Sequence, residues 1–236
     1  MEAAHLLALL LIILIVGNQF LIFRLKRAKE VDARLHTYWL IMASLWLATA
    51  AAAGIMGSRT LWYVHVNPWE ERWLPGNFVT MAIAIVSIAA MLAPLAMVRK
   101  PAGLAALLRQ IEKLSFILPQ SARERLWWAL VSITAGICEE YLFRGFLLYY
   151  LHISPWKARL GFAIPLACLV FGLGHLYQGV KGAFGSAAVG FLLFLLFLGT
   201  GNLLWPMVLH ALADLRVLLV LKAVRARTVS APGSNS

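Results

Sequence analysis

Charged residues are scarce in this chain. Only 13% of its 236 residues are Asp, Glu, Lys or Arg, whereas 62% are hydrophobic. A soluble domain carries about 25% charged residues, so this chain has too little polar surface for a water-soluble globule. Acidic residues are the scarcest, with ten against 21 Lys and Arg. The composition therefore predicts an all-α, polytopic membrane helix bundle in contact with lipid.

Cysteine is nearly absent, and so are the features of a nucleic-acid-binding protein. Cys138 and Cys168 both lie within apolar runs, which argues against a disulfide framework. The net charge of +11 resides mostly in short segments between apolar runs, a distribution that orients a membrane protein. No basic stripe with interleaved aromatic residues is present, so we expect no nucleic-acid partner.

Apolar runs, by contrast, are abundant, and each predicts a membrane-spanning helix. A helix needs about 20 apolar residues to cross roughly 30 Å of hydrocarbon. Seven runs approach or exceed that length, at residues 3–23, 36–57, 78–98, 126–151, 160–179, 182–199 and 203–222. Pro94 lies inside the third run and predicts a kink near its end.

The longest linker, at 99–125, has a helical pattern of its own. Apolar residues face away from charged ones at helical spacing: Leu104, Leu107, Leu108, Ile111 and Leu114 against Arg109, Glu112 and Lys113. This pattern predicts one amphipathic helix, which either lies in the membrane interface or packs on the bundle. We therefore divide the chain into three N-terminal helices (1–98), the interfacial linker helix (99–125), a four-helix core (126–222) and a disordered tail (223–236).

Lys and Arg are distributed unequally between the two sides of the predicted bundle. With the N-terminus outside, the inner loops and the tail carry most of the 21 basic residues and the outer loops carry few. The positive-inside rule then predicts an outer N-terminus and a cytoplasmic C-terminus. The small size and the single bundle favour a multi-pass protein of a prokaryotic plasma membrane.

Five ionisable residues stand out because they lie inside apolar runs. Of the ten acidic residues, only Glu139, Glu140 and Asp214 lie deep in such runs, and of the six histidines only His175 and His210 do so beside other polar or small residues. Each would cost several kcal/mol alone in lipid. Mutual pairing in one internal cavity is therefore expected.

The spacing of these residues assigns faces to them. Glu140 and Arg144 are four residues apart with the acid first, which predicts a buried ion pair. Glu139 is turned by about 100° from Glu140, so it is free to face the cavity. The 4-residue spacing recurs elsewhere, between Phe171 and His175 and between His210 and Asp214, while Gly172 and Gly174 permit close helix approach.

Two kinds of chemistry fit these residue types, and the residues do not decide between them. In the first, Glu139 and His175 polarise a water and Glu139 takes its proton, while His210 and Asp214 stabilise an oxyanion. In the second, Glu139, His175 and His210 bind zinc or another divalent metal, although there is no His-Glu-x-x-His spacing. We favour the first, without a cofactor. For Glu139 to come within hydrogen-bond or one-water distance of His175, the fourth helix must start earlier, within 121–125, or the helices must tilt strongly.

At these residues the sequence resembles the CPBP family of intramembrane proteases, also called the Abi or CAAX-protease family. The family pattern is Glu-Glu-x-x-x-Arg, then Phe-x-x-x-His, then His-x-x-x-Asn/Asp, and here these motifs stand at 139–144, 171–175 and 210–214. The run Gly199 to Pro206 is similar to the family's lead-in to the last motif. The resemblance covers about residues 121–222, and each of its motifs falls in a predicted span.

The resemblance implies hydrolysis of a peptide bond in a membrane-associated substrate, such as a prenylated CAAX-type protein or a bacteriocin-like peptide. It implies that Glu139 and His175 activate the water, that His210 and Asp214 form the oxyanion side, and that Glu140, Arg144 and Phe171 support them. Asp214 stands where many members have Asn. A carboxylate cannot donate a hydrogen bond, so Asp214 either acts when protonated or orients His210.

Two other functional classes use the same residues. A proton-coupled transporter or channel would use the buried acids and histidines as a relay, but the chain shows no inverted repeat and no paired broken helices. A non-catalytic scaffold of the same fold would not need all five polar positions to be occupied. An intramembrane endopeptidase is therefore the leading hypothesis.

Overall fold

The structure is a computed structural model, and it describes residues 2–27, 32–57, 76–153 and 156–229. These residues form eight α-helices: α1 (Glu2–Leu25), α2 (Ala33–Met56), α3 (Gly76–Met97), α4 (Pro101–Leu114), α5 (Ala122–Glu140), α6 (Leu160–Leu173), α7 (Val180–Thr200) and α8 (Leu204–Val229). A short 3₁₀ turn, Leu176–Gln178, joins α6 to α7. The predicted all-α fold is confirmed.

Four helices are long and apolar enough to cross a membrane: Glu2–Leu25, Ala33–Ile55, Phe78–Met97 and Val180–Thr200. The chain is therefore a polytopic helical membrane protein. Helix α6, with 14 residues, is only about 21 Å long. Helices α5 and α8, which carry embedded acids and a histidine, are not among these four. The larger number of seven spans stays a prediction.

Helix α5 starts at Ala122, within the range 121–125 named in the sequence analysis. Ser121 caps it: the Ser121 hydroxyl accepts from the Glu124 backbone N–H, and the Glu124 side chain accepts from the Ser121 N–H. Beyond Glu140 the chain continues in wider π-helical turns, Tyr141–Leu147 and Tyr149–Ile153. The early start within 121–125 is thus confirmed.

Two predicted ends are wrong. Helix α6 ends at Leu173 rather than near 179, because the backbone tightens there, with the His175 N–H donating to the Gly172 carbonyl at 2.9 Å. His175 therefore lies in a turn and not within a span. Helix α8 continues to Val229, so the tail predicted to be disordered from 223 is helical over 223–229; residues 230–236 lie outside the described residues.

The amphipathic linker helix α4 packs on the bundle. Its Leu107 is buried in a cluster with Val98 and with Val220 and Val224 of α8. This contact also explains why α8 extends past residue 222, since the last turns of α8 have an apolar partner. The placement of α4 in a membrane interface stays a prediction.

A half-buried arginine of α8 contacts α3 beside Pro94, where the sequence predicts a kink. Pro94 has no N–H, so the Ala90 carbonyl loses its helical partner. Arg216 of α8 donates to the Ala90 carbonyl at 3.4 Å and to the Met91 carbonyl at 2.9 Å. Arg216 therefore ties α8 to α3 in the middle of the bundle.

Contacts between loops support part of the predicted sidedness. The Arg34 Nε lies 2.8 Å from Glu124 Oε1, which places the start of α2 beside the start of α5. The Lys113 Nζ donates to the Gln178 carbonyl at 2.7 Å, which places the end of α4 beside the α6–α7 turn. The two contacts join three segments at one end of the bundle: the start of α2, the linker at 99–125 and the α6–α7 turn. All three are predicted to lie on the inner side. Their orientation to a membrane stays a prediction.

Candidate active site

Helices α5 and α8 approach each other closely at Gly136. A Cβ on Gly136 would lie 2.7 Å from the Ala211 Cβ and 2.8 Å from the Met207 carbonyl oxygen, closer than side chains tolerate. A glycine is therefore required there. One turn further along α5, this approach brings Glu140 Oε1 to 2.7 Å from His210 Nδ1.

The predicted ion pair between Glu140 and Arg144 is present and wholly buried. Arg144 NH1 lies 3.0 Å from Glu140 Oε1, and neither side chain is exposed. Arg144 NH2 donates to the Gly190 carbonyl at 2.9 Å, and the guanidinium lies between the rings of Phe171 and Phe194, 4.8 and 4.7 Å from their centroids. The arginine thus binds α5, α6 and α7 together.

Glycines make room for this arginine and its ring partner. A Cβ on Gly190 of α7 would lie 3.0 Å from Phe171 and 3.3 Å from Arg144 NH2. A Cβ on Gly172 would lie 2.7 Å from the Ala183 carbonyl oxygen, so the predicted role of Gly172 in close helix approach is confirmed. The sequence analysis missed Gly136 and Gly190, because nothing in one sequence distinguishes a contact glycine from an exposed one.

His210 is surrounded by three carboxylates. Its Nδ1 contacts Glu140, and its Nε2 lies 3.9 Å from Glu139 Oε2 and 3.7 Å from Asp214 Oδ2. The two longer distances exceed a hydrogen bond. An ionised carboxylate only accepts, so the 2.7 Å contact assigns a hydrogen to His210 Nδ1. Nε2 therefore faces the two remaining acids.

The tautomer of His175 follows from its partner. Its Nδ1 lies 2.9 Å from the Phe171 carbonyl oxygen, and its ring packs on the Phe171 ring at 4.7 Å. A carbonyl only accepts, so Nδ1 carries the hydrogen and Nε2 of the neutral ring keeps its lone pair. The predicted proximity of Phe171 and His175 is confirmed.

Glu139 and His175 do not form a direct hydrogen bond. The described contacts of Glu139 lead to His210, and those of His175 lead to Phe171, whose ring lies 5.9 Å from the His210 ring. Glu139 turns toward α8 instead. The predicted approach of Glu139 and His175 within hydrogen-bond or one-water distance stays a prediction.

Exposure distinguishes the two adjacent acids. The Glu140 side chain is 0% exposed and the Glu139 side chain 20% exposed, while Asp214 is 42% exposed. The expectation that Glu139 rather than Glu140 faces the cavity is consistent with this difference. Asp214 is thus the most exposed of the three acids.

Two aromatic residues beside the cluster escaped the sequence analysis. The Trp128 Nε1 donates to the Asp214 carbonyl at 3.3 Å. Burial raises the pKa of the Tyr177 hydroxyl well above its usual range, and the nearby Asp214 and Glu139 carboxylates raise it further. Trp128 stands near the start of the predicted span at 126–151, where an aromatic residue is usually an anchor at the membrane interface.

The alternative metal site was Glu139, His175 and His210. Within the part of the chain that the structure describes, no group of three His, Cys, Asp or Glu side chains is placed to hold a metal ion. Because Glu140 engages His210 Nδ1, only Nε2 of this histidine could bind a metal. Glu139, His175 and His210 do not form a metal-binding group in this geometry.

Comparison with known proteins identifies a family for the C-terminal part of the chain. Residues 121–216 match the family described as Rce1-like, Type II CAAX prenyl endopeptidase Rce1-like. No curated protein matches the chain, and no solved structure does. The matched stretch contains all five embedded ionisable residues, whereas α1–α4 lie outside it.

Proposed function

Because residues 121–216 form a domain of the Rce1-like type II CAAX prenyl endopeptidase family, a family of proteases, we propose that the chain is an intramembrane endopeptidase that hydrolyses a peptide bond with a water activated by Glu139 and His175. The observation that carries this proposal is the buried cluster in which Glu140 fixes His210 at 2.7 Å while Glu139 remains partly exposed beside it. The supporting carboxylate, Glu140, is thus fully buried, whereas the reacting carboxylate, Glu139, is partly exposed.

The water is activated by two acceptors. Glu139 accepts one of its hydrogens, and the lone pair on His175 Nε2 accepts the other. The water oxygen attacks the scissile carbonyl carbon while its proton moves to Glu139, which acts as general base. Collapse of the tetrahedral intermediate breaks the C–N bond, and Glu139 returns the proton to the leaving amine. The products are a carboxylate and a free amine.

His210 stabilises the oxyanion of this intermediate. Glu140 accepts from Nδ1, so His210 donates from Nε2 only when the ring carries both protons. The Arg144 ion pair keeps Glu140 charged and in place for this role. As a carboxylate, Asp214 can only accept hydrogen bonds. Its Oδ2 lies 3.7 Å from His210 Nε2, so we assign Asp214 the role of orienting His210 rather than of stabilising the oxyanion.

The substrate that we propose is a membrane-associated peptide, with a prenylated CAAX-type protein as the first candidate because the matched family is described by that activity. A bacteriocin-like peptide is the second candidate. Asp214 is the most exposed of the three acids, and four helices of the described chain are long and apolar enough to cross a membrane. A substrate anchored in the same bilayer would be held close to the cluster.

The test is cleavage by the purified full chain in lipid nanodiscs. Three substrates are offered: a farnesylated CAAX peptide, the same peptide without the prenyl group, and a library of membrane peptides. Glu139→Ala is compared with Glu112→Ala, a control that removes an exposed carboxylate on α4. We expect cleavage by wild type and by the control, and a loss of about 10²–10⁴-fold in Glu139→Ala.

Two further arms separate the alternatives. Activity that survives exhaustive chelation removes the metal reading, whereas activity restored by zinc alone contradicts the water mechanism above. Absence of cleavage in every arm, together with proton flux in liposomes, would sink the protease reading in favour of a transporter. Absence of both activities would favour a scaffold.

A further inference from the structure

Helix α1 contains two amides in an otherwise apolar stretch, at Asn18 and Gln19. An amide without a partner is costly in hydrocarbon. Asn18 Oδ1 accepts from the Ser44 hydroxyl of α2 at 3.1 Å. Gln19 points elsewhere and contacts the connection between α6 and α7. Neighbouring amides on one helix therefore have separate partners.

Gln19 contacts the backbone on both sides of His175. Its Nε2 donates to the Gly174 carbonyl, and its Oε1 accepts from the Tyr177 N–H at 3.1 Å. One planar amide thus holds two peptide groups that flank the histidine. We call residues 174–179 the His175 turn.

The His175 turn has little regular structure of its own to hold it. It contains one 3₁₀ turn and ends at Gly179, whose φ of 86° is left-handed. At its far end the Gln178 carbonyl accepts from Lys113 of α4 at 2.7 Å. Contacts from α1 and α4 therefore supply the restraint, and both helices lie outside the stretch that matches the protease family.

We propose that Gln19 is a positioning residue that holds His175 in place for hydrolysis by clamping the Gly174 carbonyl and the Tyr177 N–H. This inference rests on the proposed function for its catalytic consequence. Its physical basis does not, since the two hydrogen bonds exist whatever the site does. The N-terminal helix, which carries none of the embedded ionisable residues, then completes the geometry of the site.

The matched variants are Gln19→Leu and Asn18→Leu. Each removes one half-buried amide from α1, but only the first removes contacts to the His175 turn. We expect Gln19→Leu to lower kcat by about 10–100-fold with little change in KM, because a displacement near 1 Å is enough for a loss of that size. Asn18→Leu should keep the wild-type kcat.

A second measurement follows the clamp without using activity. Amide hydrogen exchange of the His175 turn, read by mass spectrometry, should accelerate in Gln19→Leu because the Tyr177 N–H loses its acceptor. Exchange there should be unchanged in Asn18→Leu. If Gln19→Leu does not fold, Gln19→Asn keeps the amide but lacks the reach to hold both peptide groups, and it should show the same two effects.

The outcomes separate this inference from the proposed function. Cleavage that depends on Glu139 but is unaffected in the Gln19 variants overturns the positioning role and leaves the protease. Unchanged exchange in the Gln19 variants overturns the clamp itself. Equal losses of kcat in Asn18→Leu and Gln19→Leu would show a general effect on stability and would also overturn it. If wild type cleaves nothing, faster exchange in Gln19→Leu still supports the clamp.

Discussion

Helices α1–α3 and helices α5–α8 differ in how they use their surfaces. In the most apolar windows of α1, α2 and α3, only 17%, 22% and 6% of the residues are buried. The C-terminal helices instead bury charge, with Glu140 and Arg144 at 0% side-chain exposure. Their glycines differ likewise: Gly17 and Gly54 face open space, whereas Gly136 and Gly190 face neighbouring atoms.

Hydropathy identifies best the helices that carry none of the five embedded acids and histidines. Helices α1, α2, α3 and α7 are long and apolar enough to span a membrane, whereas α5 and α8, which carry four of those five residues, are not among the helices identified in this way. Embedded polar residues lower the mean hydropathy of a helix. Helix α7 combines both properties. It is apolar enough to span a membrane, and its Gly190 carbonyl accepts a hydrogen bond from Arg144.

The largest expected difference between the two regions is catalytic. We expect His210→Gln to lower kcat by about 10²–10³-fold through loss of the oxyanion donor. His36→Gln, which replaces an exposed histidine of α2, should leave kcat unchanged. Steady-state kinetics on the best peptide substrate gives both values. Similar losses of kcat in the two variants would contradict the assignment of catalysis to helices α5–α8.

The next largest effect is on stability. Arg144→Met leaves Glu140 as an uncompensated buried charge, and breaking such a pair costs about 3–5 kcal/mol. Arg24→Met, at an exposed position near the end of α1, should change the free energy of unfolding by less than about 0.5 kcal/mol. Reversible unfolding in mixed micelles measures both. A stable Arg144→Met protein would show that the ion pair is dispensable for the fold.

Matched glycine substitutions sharpen the comparison further. Gly136→Ala places a Cβ 2.7 Å from Ala211 and should destabilise the protein by about 1–3 kcal/mol. Gly17→Ala meets no atom within 4 Å, so the better helix propensity of alanine should stabilise α1 by up to about 1 kcal/mol. The two unfolding free energies should move in opposite directions. Movement in the same direction would mean that the packing of α5 against α8 is looser than described.

The smallest effect lies where the two regions meet, at Glu124. Burial pushes its pKa up, but hydrogen bonds from Ser121, Arg34 and Gln120 outweigh burial and hold the pKa below its ordinary value of 4.5. A carboxylate whose pKa is lower in the folded protein than in the unfolded chain stabilises the fold at pH values above the unfolded pKa. This stabilisation is lost as the pH falls through the folded pKa. We expect Glu124→Gln to cost about 1 kcal/mol at neutral pH.

Measurement of unfolding against pH checks this sign. The difference between wild type and Glu124→Gln should shrink as the pH falls below about 4.5. Asp32→Asn is the control, because Asp32 lies 4.0 Å from Arg123 with both side chains largely exposed. A surface pair of that kind contributes little. A difference that persists unchanged at low pH would contradict the ionised state assigned to Glu124.

The residue pattern predicted some features of the site because they are local. The spacing of Glu140 and Arg144, and of His210 and Asp214, follows from helical geometry within a single helix, so one sequence contains it. The start of α5 is also local, since Ser121 and Glu124 form its capping box. The end of α6 was missed because a run of apolar residues and glycines has no strong stop signal before His175.

Composition and helical spacing by themselves determined that this is a membrane helix bundle, which acids and histidines lie in it, and that Glu140 pairs with Arg144. Only the tertiary structure decided that Glu139 turns toward His210, that Gly136 and Gly190 make room for the cluster, and that Gln19 reaches the His175 turn. Those contacts join residues far apart in the chain. Their geometry depends on how helices pack, which no local spacing encodes.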